Sequence, residues 1–424
     1  MDKTIWVVAA KRTPIGRFQG MLKEFTAPQL GQVAIQSALN DLTSDRAIFD
    51  LIQEVFMGCV LPAGCGQAPA RQAAMGAGLS YSVGCTTINK VCGSGMKSVM
   101  LAYDLIQSGS AKGVLAGGME SMTNAPYLLK DARSGLRLGH KKTFDHMFLD
   151  GLQDAYSNEL MGVYADSIAQ KYDISRDQMD QWALLSLSRA LEAQQSLRFS
   201  TEIAPVVSDC VSASNSKSDR QSAACLDFDE HPREIKSDKI PHLRPAFSPN
   251  GRVTAANASS ISDGAAALVL MDADYAKQHG LKPLAKIVGH TTHARSPSEF
   301  TIAPIYAIEQ LLTERQWSVE DVDLWEINEA FAVVTQIAVQ QLKLDIEKVN
   351  VNGGACALGH PIGASGARII VTLIHALRCK QATDLAESNN KSQGQSEAKT
   401  MRGIATLCIG GGEATAIAIE IEGA

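Results

Sequence analysis

Two stretches decide the fold class: Thr86-Thr87-Ile88-Asn89-Lys90-Val91-Cys92-Gly93-Ser94-Gly95-Met96, and after it Gly113-Val114-Leu115-Ala116-Gly117-Gly118. The first opens as an extended segment and enters a turn of small residues. Met96, Val99, Met100, Tyr103 and Ile106 then recur at helical spacing. Gly113–Gly118 reads as a short buried strand ending in glycines. Strand, tight turn, helix and strand in so short a span is α/β texture with both sheet faces covered.

Outward from this unit the alternation continues. Ile5-Trp6-Val7-Val8-Ala9-Ala10 reads as a buried first strand; it lacks the charged leader and cleavage site of a signal peptide. Residues 28–40 read as an amphipathic helix, 54–58 as a strand and 67–79 as an Ala-rich helix. After Gly264–Leu270, a further strand, the pattern gives a helix at 304–315, a strand at 322–327, and helices from about 330 to 342 and about 362 to 377. Residues 122–252 are polar and turn-rich, with helical patches near 160–172 and 176–196, and read as an inserted loop domain. The Ser-rich run 208–225 reads as a surface loop within it. The polar run 381–400 reads as a flexible surface insertion. Turn, helix and glycine-ended strand at 92–118 recur at 359–412, a hint of internal duplication.

The chain has 424 residues, 45% hydrophobic and 20% charged, so it is globular and not bulk-disordered. A net charge of -6 argues against a nucleic-acid footprint. No apolar run approaches the ~18 residues of a membrane span. Nine cysteines without a C-x-x-C pair argue against a disulfide framework and a zinc ribbon, and favour a reducing cytoplasm. The histidines show no metal-ligand spacing, so no metal is expected.

Four segments carry chemistry. Cys92 sits where a strand turns into a helix; free N–H groups and the helix dipole there favour thiolate, though a small buried cysteine in a close-packed turn fits as well. His360, in Gly359-His360-Pro361, lies near a helix start that would keep its ring neutral, able to accept a thiol proton or to cap a turn. Cys408 ends a strand, and Gly410-Gly411-Gly412 expose consecutive N–H groups suited to an anion. Asn328, in Asn328-Glu329-Ala330-Phe331, is either an N-cap or an amide that orients a water or a carbonyl. Phe331, Val334 and Ala338 read as a core stripe. Arg133, Arg137, His140, Lys141 and Lys142 form a basic loop, either solvated or facing a phosphate or another subunit.

In this order the four segments resemble the thiolase family. Arg12–Gly16, Gly117–Met122, Asn257–Ser259 and Asp263–Ala265 extend the resemblance over essentially the whole chain. It implies a five-layered αβαβα arrangement of two duplicated halves with an inserted loop domain. The first half would span 1–121, completed by about 253–275. The CoA-binding loop domain would span 122–252 and the second half 276–424. The implied reaction is reversible acyl transfer through a Cys92 thioester: two acetyl-CoA give acetoacetyl-CoA and CoA, or CoA cleaves a 3-ketoacyl-CoA. His360 would take the Cys92 proton and Cys408 would move the α-carbon proton. His360 and a water held by Asn328 would face the enolate; the N–H groups of Cys92 and Gly410 would face the tetrahedral intermediate. Leu152, Met161, Arg233, Phe247, Ala255 and Ser259 would contact CoA, and Phe300 would tune tolerance of a 2-methyl branch. No prosthetic group is implied, coenzyme A being substrate and product. Family members are commonly homotetramers or dimers.

Segment 143–156 and Phe300 resemble the acetoacetyl-CoA branch of the family. Leu160, just before Met161-Gly162, departs from the histidine often found there. The alternative is a degradative 3-ketoacyl-CoA thiolase. The acyl-carrier-protein condensing enzymes share the fold but commonly use two histidines, which the Cys408 segment argues against. A non-catalytic CoA- or lipid-binding relative would have lost the nucleophile or the base.

Overall fold

A computed structural model describes residues 3–42, 46–207, 225–391 and 399–423. Among these residues a ten-stranded sheet forms the centre, nine of its strands on one path: β1 Ile5–Arg12, β2 Glu54–Gly58, β3 Gly84–Ile88, β4 Gly113–Ser121, β5 Ser262–Asp272, β6 Ala285–Ala294, β7 Leu324–Ile327, β8 Met401–Ile409 and β9 Glu413–Ile421. Their order is β7-β8-β9-β6-β1-β5-β4-β2-β3, and the short strand Gly16–Arg17 pairs with β5 at the side. β2 and β4 are parallel, and β5 runs antiparallel to β4 and β1. The other half repeats this: β7 and β8 are parallel, and β9 runs antiparallel to β8 and β6. Among the described residues, the strands of the two halves pair where Ile5, Trp6 and Val7 meet Ile287, Lys286 and Ala285. The internal echo is therefore structural: β4 and β8 hold equivalent places, each reached from a Gly-rich turn through a long helix.

The strand residues explain the layers. Ile5 and Val7 of β1 and Ala266, Leu268 and Leu270 of β5 point into one core; Trp6, Val8, Ala265, Ala267 and Val269 point into another. Alternate residues face opposite sides of a strand, so apolar runs without alternation demand cover on both faces. Helices α1 Ala27–Leu42 and α2 Pro69–Gly76 cover the outside of the first half. α3 Ser94–Gln107 and α8 Ser365–Lys391 fill the middle, where Ile417, Ile419, Ala405 and Leu407 meet them from the second half. α6 Ala303–Arg315 and α7 Ala332–Leu342 cover the far side. Between β4 and β5 lie α4 Met161–Lys171 and α5 Arg176–Gln195, the latter opened by a Ser175–Gln178 capping box.

One expectation is corrected. α8 does not stop near 377 but runs to Lys391, so the first half of the polar run 381–400 is helix. Good helix formers and an i,i+4 pair, Lys380–Asp384 at 3.0 Å, carry it outward into solvent. Polarity on every face had hidden it. Residues 208–224, most of the expected Ser-rich loop, lie outside the described residues, as do 392–398.

Glycine decides how the two central turns meet. A Cβ on Gly118 would stand 2.1 Å from the Gly363 carbonyl oxygen, and one on Gly366 would stand 2.4 Å from the Met96 nitrogen. No side chain fits at either place, and that close approach brings the 92–96 turn against the 360–366 turn.

Candidate active site

The Cys92 turn is braced by its own polar groups. Lys90 N–H donates to Ser94 Oγ at 2.8 Å, Ser94 Oγ–H donates to the Val91 carbonyl at 2.6 Å, and Val91 N–H donates to Asn89 Oδ1 at 2.9 Å. Val91 has φ +47, a left-handed conformation that costs a β-branched residue about 1–2 kcal/mol. That strain turns the chain just before Cys92 and α3 begins two residues later. The dipole argument for a thiolate is overruled. Burial pushes the Cys92 thiol up to about 11, while the N–H groups of Gly410 and of Cys92 itself pull the other way. The resting group is a thiol facing two backbone donors, and it needs a base.

His360 is suited to be that base. Its ring is buried, with a pKa lowered to about 3 by burial first and by the Arg368 charge second. Neutrality comes from these causes, because the helix starts only at Ser365. We assign the Ser365 Oγ–H to the Pro361 carbonyl, 2.9 Å away, so that this oxygen accepts from His360 Nδ1–H at 2.6 Å. The proton on Nδ1 leaves a lone pair on Nε2, which has no partner among the described residues. Backbone contacts to the Ser260 carbonyl and Ser262 Oγ, both 3.2 Å, hold His360 in place.

Cys408 is the last residue but one of β8, fully enclosed. Its thiol is held well above the usual range by burial and then by nearby Cys92. β8 and β9 are joined through Gly410, Gly411 and Gly412, with φ +91 and +95 at the last two. Asn328 follows β7, and α7 is capped by Phe331, so Asn328 is not an N-cap. Its Nδ2 and Oδ1 are buried and have no partner among the described residues, which suits an amide reserved for a water or substrate oxygen. Neighbouring Glu329 does the opposite. Its carboxylate accepts from Trp182 Nε1 at 2.9 Å, Ser186 Oγ at 2.8 Å, Asn350 Nδ2 at 2.8 Å and Cys356 N at 3.1 Å, tying α5 to the turn before His360. Glu120 likewise accepts from the backbone N–H groups of Val60, Leu61 and Gly363. Sequence reasoning missed both, since their partners lie 21 to 243 residues away.

Cys92, His360 and Gly410 line one cavity of about 380 Å³. Leu152, Met161, Phe247, Ala255, Ser259 and Phe300 form its walls with Leu160 and Phe148. Phe331, expected in a core stripe, also lines it, edge-on to Phe247 and Phe300 at 6.1 and 6.2 Å. Cys408 and Asn328 are buried and outside its lining. Arg233 lies outside this cavity. Its guanidinium stacks on Phe228 at 3.6 Å and lines a second cavity with Asp227 and Phe199, because Pro232 and the short helix His231–Glu234 aim it there.

A duplicated α/β fold that brings a thiol beside a neutral imidazole at a glycine turn is the architecture of an acyl-transfer enzyme. The chain matches the thiolase N-terminal domain over residues 5–274 and the thiolase C-terminal domain over 281–421, and it belongs to the thiolase family. It is 46% identical to acetyl-CoA acetyltransferase 1 of Arabidopsis thaliana over 419 residues, covering 99% of this chain and 94% of that one. It is 43% identical to an acetyl-CoA acetyltransferase of Cupriavidus necator, covering 98% of each. The crystal structure of Acat5 thiolase from Ascaris suum in complex with coenzyme A superposes with a TM-score of 0.87. That protein is 38% identical, and the match covers 99% of this chain and all of that one.

Proposed function

We propose that this chain is an acetyl-CoA C-acetyltransferase, interconverting two acetyl-CoA with acetoacetyl-CoA and CoA. One observation carries the reading: the partly buried thiol of Cys92 shares a largely apolar cavity with the Gly410 turn and with Nε2 of neutral His360, unpartnered among the described residues. The names of the relatives agree, and they do not favour the degradative alternative.

In the cleavage direction, His360 Nε2 takes the Cys92 proton and the thiolate attacks the ketone carbon of acetoacetyl-CoA. The N–H groups of Cys92 and Gly410 face the oxyanion, and losing one such donor costs on the order of 10²–10³ in rate. The C–C bond breaks, leaving acetyl on Cys92. The departing acetyl-CoA enolate is faced by protonated His360 and a water on Asn328. Its carbon takes the proton of Cys408, which rests as a thiol for that purpose. CoA then attacks the thioester, giving its proton to the Cys408 thiolate, and Cys92 leaves as thiolate and recovers its proton from His360. Condensation is the reverse.

Leu152, Met161, Phe247, Ala255, Ser259 and Phe300 would hold the acyl-pantetheine arm along the cavity. The loop domain 122–252 would supply most of the CoA surface between halves 1–121 and 276–424. Chemistry that depends on two reduced thiols fits the cytoplasm. A homotetramer, or a dimer, is supported by the basic loop, where Leu136 and Leu138 stand exposed, the latter at 90%.

The test is CoA-dependent thiolysis of acetoacetyl-CoA beside a medium-chain 3-ketoacyl-CoA, with Cys92→Ser as control. Preference for acetoacetyl-CoA, and an acetyl adduct on Cys92 by mass spectrometry, support the reading. Equal or faster turnover of the longer chain moves it to the degradative enzyme.

A further inference from the structure

The reacting sulfur and the Gly410 N–H that faces it belong to different halves of the fold, and one ion pair joins their turns. Lys90 lies two residues before Cys92. Glu413 is the first residue after the Gly410–Gly412 turn to carry a side chain. Lys90 Nζ meets Glu413 Oε2. Both side chains are partly exposed, and neither lines the cavity.

The rest of that junction is apolar and small. Ile409 Cδ1 occupies the space Gly93 leaves open, 2.3 Å from where a Cβ would stand. Val91 Cγ1 lies 3.6 Å from the corresponding point on Gly410. Among the described residues, the Lys90–Glu413 pair is the one charged tie between 89–94 and 408–413. The Cys92 turn has its shape set locally by Ser94 and Asn89. The glycine turn is closed by Gly412 N–H on the Ile409 carbonyl at 3.2 Å and tied by Arg295 N–H on the Gly412 carbonyl at 2.8 Å, but two of its residues have positive φ and none has a side chain to hold it against the Cys92 turn. Glycine is the residue with most freedom to lose, so a side-chain tie to the Cys92 turn sharpens where Gly410 sits relative to the sulfur.

We infer that the Lys90–Glu413 ion pair is a positioning clamp that holds the Gly410 N–H against Cys92 Sγ, and so sets the strength of the oxyanion site. The inference rests on the roles given above to Cys92 and Gly410. Neither clamp residue touches the reacting atoms. A partly exposed ion pair contributes little to global stability, so its loss should appear in catalysis before it appears in unfolding.

The experiment compares Lys90→Met, Glu413→Ala, the double variant and the charge swap Lys90→Glu/Glu413→Lys. Each is assayed for kcat and KM in acetoacetyl-CoA thiolysis, for the pH profile of Cys92 alkylation by iodoacetamide, and for melting temperature. Each single variant should lower kcat about tenfold with KM within about twofold, and the double should be no worse than either single. Alkylation should shift to higher pH, because the Gly410 N–H no longer favours the thiolate. The swap should recover most of the loss, and melting temperatures should stay together. Kcat values within twofold of the parent, additive losses in the double, a swap without recovery, or damage from Lys90→Met alone would each overturn the clamp. An inactive parent would refute the functional reading instead, and the alkylation profile would still report on the clamp.

Discussion

Ser365→Ala removes the one oxygen that accepts the His360 Nδ1–H, a buried contact of 2.6 Å. Two outcomes compete after the change. The ring can keep its proton on Nδ1, now buried without an acceptor, at a cost of about 1–3 kcal/mol. Alternatively the proton moves to Nε2, and the ring can no longer take the Cys92 proton from that atom. Either way the competent state loses about that free energy, which corresponds to a fall of about 5- to 150-fold in kcat. The assay is thiolysis of acetoacetyl-CoA across pH, with a double-mutant cycle against His360→Asn. In the His360→Asn background, Ser365→Ala should cost nothing further, because the contact is already gone. A Ser365→Ala enzyme within threefold of the parent, or a full additional loss in the His360→Asn background, would refute the tautomer argument.

Cys408→Ala should still acquire an acetyl group on Cys92 from acetyl-CoA, seen by mass spectrometry, while C–C bond formation falls by about 10²–10⁴ in steady-state assays. Glu329→Ala should leave four buried donors without an acceptor and destabilise the fold by several kcal/mol in urea unfolding; about 3 kcal/mol or more is expected. Acid should weaken the parent more than His360→Gln. The unfolded ring binds a proton below about 6.5 and the folded ring only near 3, so unfolding binds protons and stability falls as pH drops. Between pH 6.5 and 4 this amounts to about 3 kcal/mol, read as the widening difference in urea midpoints between the two proteins.

The elements legible in the sequence were those with a local cause. Strand β2 coincides with the expected 54–58, and α6 starts one residue before the expected helix, because apolar periodicity and turn residues mark them from within. The polar half of α8 was not legible, since no buried face marks a helix that runs out into solvent. The site divided along the same line. Cys92, His360 and Cys408 stood out because a reactive residue in a glycine-rich turn is a local pattern. Glu329 and Glu120 did not, because a carboxylate bracing distant backbone looks like any other until its partners arrive. That Arg233 lines a second cavity with Phe228 was not legible either, because the direction of a short helix is set by what it packs on.

Residue order by itself determined the α/β alternation, the two echoing turn-helix-strand units and the residue types able to exchange protons and acyl groups. Those follow from local backbone preference and from the intrinsic chemistry of the side chains. The tertiary structure alone decided their protonation. Burial keeps Cys92 and Cys408 as thiols and His360 neutral, a field effect summed over elements hundreds of residues apart. It also decided their meeting, since glycines of one half must lie against glycines of the other before a sulfur, an imidazole and a backbone N–H can share one cavity.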